Sequence, residues 1–201
     1  YNIAPKEGMN ISRTYYKTMI EGQWAEQPET VDLFFKSKYE SFNKKWENKF
    51  GWKLYKPLTN TDEYLFTALH KITTNNVKAF CEQTLSLVKL TIDRLNEKEL
   101  AKGLGLDSKI RGIGKFEKFL ESKGMNIPDM FEFLRNLQNL RSGLIAHTFS
   151  ESNKDCKKAI QYFDINNDNY AKVLEDIFVK SVFTLNTLDN FFQLSEEKLN
   201  G

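Results

Sequence analysis

From Glu29 onward apolar residues recur three and four positions apart, the spacing that buries one stripe of a helix rather than one face of a strand. In "ETVDLFFKSKYESFNKKWENKF" the stripe is Val31, Phe34, Phe35, Tyr39, Phe42 and Trp46, with Thr30 placed as an N-cap. "NNVKAFCEQTLSLVKLTIDRLN" repeats it with Val77, Phe80, Cys81, Thr84, Val88, Thr91, Ile92 and Leu95. The last such segment carries Leu174, Ile177, Phe178, Val182, Leu185, Leu188 and Phe192. Shorter helices are expected in "NTDEYLFTALHKI", capped at Asn60 or Thr61, in "SKIRGIGKFEKFLESKG" and in "KDCKKAIQYF". Strand signals are nearly absent after residue 30. The expected class is all-α, a bundle of about five to seven helices over residues 29–201. Residues 1–28 lack a sustained period and read as an irregular N-terminal extension, with one short strand or helix near 11–20.

Composition narrows the function. The chain has 201 residues, 40% of them apolar, with sixteen Phe and eight Tyr, enough for one domain with a real core. A net charge of +2 excludes a global basic field, so any nucleic-acid contact must be a local patch. Two cysteines, Cys81 and Cys156, exclude a disulfide scaffold and fit a reducing compartment; with only His70 and His147 beside them, a Cys/His zinc site is not expected. No apolar run is long enough for a membrane span and no signal-peptide pattern opens the chain, so the expectation is a cytoplasmic protein without membrane contact.

One helix breaks its own pattern. Pro128 suits a first turn, and Leu134, Leu137, Leu140 and Leu144 then form a stripe. At about 100° per residue Arg141 falls within about 40° of Leu137, His147 flanks the stripe about 80° away on the other side, and Arg135 points almost opposite, toward water. Gly143 is a place where this helix could stop. Burying a guanidinium without a partner is costly. Two explanations are open: Arg141 pairs with a carboxylate while His147 is a satisfied core residue, or the two form a site. Arginine matches phosphate oxygens as a fork and histidine titrates near neutrality, and together these can cleave RNA without metal.

The stretch "LQNLRSGLIAH" resembles the R-x(4–6)-H signature of the HEPN superfamily: Arg141, five intervening residues, then His147. "LSLVKLTIDRLNEKEL" and "IGKFEKFLESKG" are similar to the preceding helices of some bacterial members, and the resemblance covers residues 60–195. It implies an all-α fold and a metal-independent endoribonuclease with no cofactor, of the kind found in toxins and phage-defence effectors. Arg141 and His147 would be the catalytic pair, with Ser142 in support. It also implies RNA as substrate, a homodimer or pairing with a second HEPN domain so that two motifs share a cleft, and the possibility of an inhibitor or sensor partner. Ser142 stands where the family usually has Asn, Asp or His, and Thr148 where several relatives have a basic residue. These departures favour the alternative, a catalytically inactive HEPN-like domain that dimerises or binds a ligand or protein.

Two further patches carry basic residues. "IRGIGKFEKFL" has the paired glycines of helix-hairpin-helix modules, with Lys109, Arg111, Lys115 and Lys118 as possible nucleic-acid contacts; otherwise it is a helix–loop junction with a wet basic face. Lys44, Lys45, Lys49, Lys53 and Lys56, interleaved with Trp46, Phe50 and Trp52, form either a nucleic-acid stripe or the solvated side of a helix whose aromatics are core. Glu151 and Asp155 follow the motif without metal-site spacing, and Cys81, on the apolar stripe, reads as an inert core thiol.

Overall fold

The computed structural model describes residues 30–145, 148–149 and 154–194. The N-terminal extension, including the element expected near 11–20, lies outside them.

The described chain is an all-helical bundle. Eight α-helices follow in order: α1 (Val31–Phe50), α2 (Tyr64–Thr67), α3 (Val77–Val88), α4 (Glu97–Ala101), α5 (Gly112–Ser122), α6 (Pro128–Gly143), α7 (Lys154–Tyr162) and α8 (Tyr170–Phe192). Six of them have nine or more residues, matching the expected five to seven, and α2 and α4 are single turns. The only ladder among the described residues is two residues long, β1 (Leu144–Ile145) against β2 (Thr148–Phe149).

Local signals set several boundaries. Thr30 precedes α1 in extended conformation, and α1 ends on Gly51 at φ 77°, whose N–H returns to the Glu47 carbonyl at 2.9 Å. The Asn76 side chain accepts the Ala79 N–H and starts α3. Pro128 opens α6. Two features depart from the sequence reading. The "EKELA" stretch, beyond the end of the stripe from Val77, forms a separate short helix, α4. The long stripe from Val77 is not one regular helix: at Lys89–Asp93 it widens into a π-helical turn. There the Thr91 hydroxyl donates to the Leu87 carbonyl at 2.8 Å, the kind of back-bond that competes with regular helix bonding.

Packing joins the ends of the chain. α1 and α8 lie side by side and run parallel: Phe35 meets Phe178 at 5.7 Å, and further along both helices Trp46 meets Phe192 at 5.3 Å. Lys45 pairs with Asp189 at 3.2 Å beside this seam. Trp52 and Phe119 of α5 close the same aromatic cluster over Trp46. α6 packs chiefly on α7, and α3 bridges both halves through α6 and α8. The segment after α1 runs extended past the end of the π turn, with Tyr55 bridged to Leu95 and the Lys56 N–H on the Arg94 carbonyl at 2.7 Å.

Candidate functional site

The apolar stripe of α6 is buried as its spacing requires: Leu137 and Leu140 are fully enclosed and Leu134 nearly so. Arg141 is one turn further on, in the last turn of the helix. Its side chain is 39% exposed, so the guanidinium sits at the rim of the bundle rather than inside it. A cation there also faces the negative end of the helix dipole. Its Nη1 donates to Asp93 Oδ1 at 2.5 Å.

Asp93 is the last residue of the π turn and is itself only 30% exposed. Burial pushes its carboxyl above the usual range, while Arg141 and Lys89 pull it back down. The same turn is held from the other side, where the buried Tyr39 hydroxyl donates to the Leu90 carbonyl at 3.0 Å. Sequence reasoning missed Asp93. It lies 48 positions before Arg141 on another helix, and no spacing rule links the two.

α6 stops at Gly143, and Leu144 and Ile145 are already extended. The helical wheel therefore cannot be carried on to His147. His147 and Glu151 lie outside the described residues, and of Ser142 only the helical backbone is described. The ladder that follows α6 does have a position: β2 lies against α3.

The glycine turn resolves in a different way. Gly112, at φ 24°, is the first residue of α5, so its amide faces outward as a phosphate-binding amide would. Glu97 of α4 already occupies that place. Its carboxylate accepts from the Gly112 N–H and from Lys115 Nζ at 2.7 Å. Of the four candidate cations, Lys115 is thus paired with Glu97, Lys118 pairs with Glu121 at 2.7 Å, and Lys109 and Arg111 remain exposed at the entry of the helix. Arg135, expected to face water, is half-exposed, pairs with Glu117 of α5 and lies over the Phe131 ring.

Lys115, first, and the Gly112 amide hold the Glu97 carboxyl below its ordinary value of 4.5. A carboxyl depressed in the fold adds stability above its unfolded pKa and loses it as pH falls through the folded one. Glu97→Gln should therefore lower the melting temperature at about pH 7, and the gap from wild type should close by about pH 3. A gap independent of pH would show that Glu97 acts by shape rather than charge.

The basic run on α1 splits in two. Lys45 and Lys49 reach across to α8, to Asp189 and to the Phe192 carbonyl, and Trp46 between them is core. Lys44, Lys53 and Lys56 lie on the opposite side. Cys81 and Cys156 are both buried and not disulfide-bonded, and burial pushes the Cys81 thiol up to about 11, as suits an inert thiol. His70 is exposed, with Nδ1 on the Ala68 carbonyl. Among the described residues no group of three or more His, Cys, Asp or Glu side chains is arranged to hold a metal ion, and no helix is long and apolar enough to cross a membrane. Compared with protein-family models, curated proteins and solved structures, the chain matches none of them.

Proposed function

We propose that the chain is a metal-independent endoribonuclease module of a bacterial toxin or phage-defence system, acting in the cytoplasm, with Arg141 and His147 as its catalytic pair. The observation that supports this most is the setting of Arg141. A guanidinium on an apolar stripe stands open at the bundle rim and is oriented by a carboxylate from a neighbouring helix.

The chemistry needs few groups. The ribose 2′-hydroxyl attacks the adjacent phosphorus, and the bond from phosphorus to the 5′-oxygen breaks. The products are a 2′,3′-cyclic phosphate and a 5′-hydroxyl. His147 exchanges a proton with the attacking or the leaving oxygen. Arg141 stabilises the charge that builds on the non-bridging oxygens, and its planar fork suits two of them at once. Asp93 holds one edge of that fork and so fixes its direction.

Two such rims facing each other across a two-fold axis would place both pairs in one cleft. Sedimentation should then give a dimer that Arg141→Glu, introducing like charges near the axis, weakens by about tenfold or more. A strict monomer at high concentration would reject self-pairing.

A second reading has its own observation. Arg141 already has a carboxylate partner in Asp93, and Ser142 and Thr148 depart from the family pattern, which together suit a silent domain that dimerises or binds a partner. Incubation with labelled RNA separates the two. Cleavage should proceed in EDTA and leave a cyclic phosphate end. Activity abolished by EDTA and restored by magnesium would reject the mechanism, and the absence of cleavage of any RNA would favour the silent domain.

A further inference from the structure

Lys44, Lys53 and Lys56 converge on a cavity of about 430 Å³ between α1, the segment after it and α2, within the size range of small-ligand sites. Its floor is aromatic. Tyr39 and Tyr55 stack at 5.1 Å and an interplanar angle of 22°, and Phe66 meets Tyr39 at 5.8 Å. The rim carries the three lysines against Glu40 and Glu47. Lys53 leans on Glu47 at 3.5 Å, whereas neither Lys44 nor Lys56 has a carboxylate within ion-pair distance among the described residues. Arg94, largely buried beside the floor, is ion-paired with Asp62 at 3.5 Å. Asn43 also lines the cavity, its side-chain amide donating to the Tyr39 carbonyl at 2.9 Å.

These groups have a common ligand. Two exposed ammonium groups with no carboxylate in direct ion-pair contact favour a phosphate. An aromatic floor favours a flat, apolar body. A nucleobase linked through its sugar to a phosphate combines both. We propose that this cavity binds a nucleoside monophosphate unit, either as a free nucleotide or as the 5′-phosphorylated end of an RNA strand. The site is distinct from the rim at Arg141, with the π turn of Lys89–Asp93 lying between them.

Calorimetry of the full chain tests this with AMP, UMP, adenosine, inorganic phosphate and a 5′-phosphorylated, 2′-O-methylated trinucleotide that cannot be cleaved. AMP or UMP should bind with a dissociation constant below about 1 mM, and adenosine and phosphate at least about tenfold more weakly. Lys44→Glu with Lys56→Glu should weaken nucleotide binding by about tenfold or more. Both lysines are exposed, so the melting temperature should move only slightly. Arg141→Ala should leave the affinity unchanged, so this site and the nuclease reading can fail separately. Tighter binding of the trinucleotide than of AMP assigns the site to a strand end, and equal or weaker binding assigns it to free nucleotide. No binding of AMP or UMP up to about 10 mM, or an affinity untouched by the double lysine variant, would overturn the proposal.

Discussion

Arg141→Ala and His147→Ala should each lower RNA cleavage by about 10²-fold or more, the scale of losing a general acid–base group or a charge-stabilising donor. Arg141→Lys should restore only part of the activity, because an ammonium cannot make the planar fork that Asp93 holds. Arg135→Ala, at the α5 contact away from this rim, should leave cleavage unchanged. The fold should survive Arg141→Ala. A half-exposed ion pair adds about 0–1 kcal/mol, so the melting temperature should fall only slightly. The variant should also carry a pH signature. Without Arg141 the partly buried Asp93 loses one of the two cations that favour its charged form, and its carboxyl rises further. A carboxyl raised in the fold is tolerated while protonated and destabilises as pH climbs through its folded value, so the melting deficit should grow between about pH 4 and pH 7. A large melting loss together with a wild-type protein that cleaves no RNA would move the assignment to the silent domain.

The second large effect concerns the core. Trp46→Ala should destabilise the domain by about 3–5 kcal/mol, or roughly 6–20 °C in melting temperature. Trp46 is fully buried, with ring neighbours from four parts of the chain: Phe42 and Phe50 on α1, Trp52 just after it, Phe119 on α5 and Phe192 on α8. Its removal opens a cavity at the junction of three helices. Trp46→Phe should cost less than half as much. It keeps most of the apolar body and removes an indole N–H that is buried without a partner. If Trp46 belonged to a nucleic-acid stripe, Trp46→Ala would instead weaken RNA binding and leave the melt in place. Denaturant unfolding beside RNA binding distinguishes the two.

Helix positions could be read from the sequence wherever a stripe met a recognisable end. Thr30, Asn76, Pro128 and Gly51 sit at boundaries for local reasons, and local chemistry is what a sequence displays. The π turn was hidden because Thr91 and Ile92 keep the apolar spacing, while the back-bond to Leu87 that accompanies the widening is a three-dimensional fact. The odd placement of Arg141 was visible, but its half-exposure was not. The wheel fixes direction around an axis and says nothing of how far the core extends along it. Asp93 could not be found by spacing, since it meets Arg141 only through the packing of α3 on α6. The glycine turn misled for a related reason: "GIG" does mark an open helix start, but the anion it receives is Glu97 of the same chain.

The parallel seam between α1 and α8 has a consequence for how the chain is made. Phe35 and Phe178 are about 140 residues apart in sequence, so this contact has a high order and forms late. At a synthesis rate of about 5–20 residues per second, α1 waits roughly 10–30 s for its partner. Throughout that interval Phe35, Phe42 and Trp46 have nothing from α8 to bury them. The nascent chain therefore carries a sticky aromatic helix, and chaperone capture or aggregation would begin there. Chains cut short before residue 170 should never acquire the finished domain.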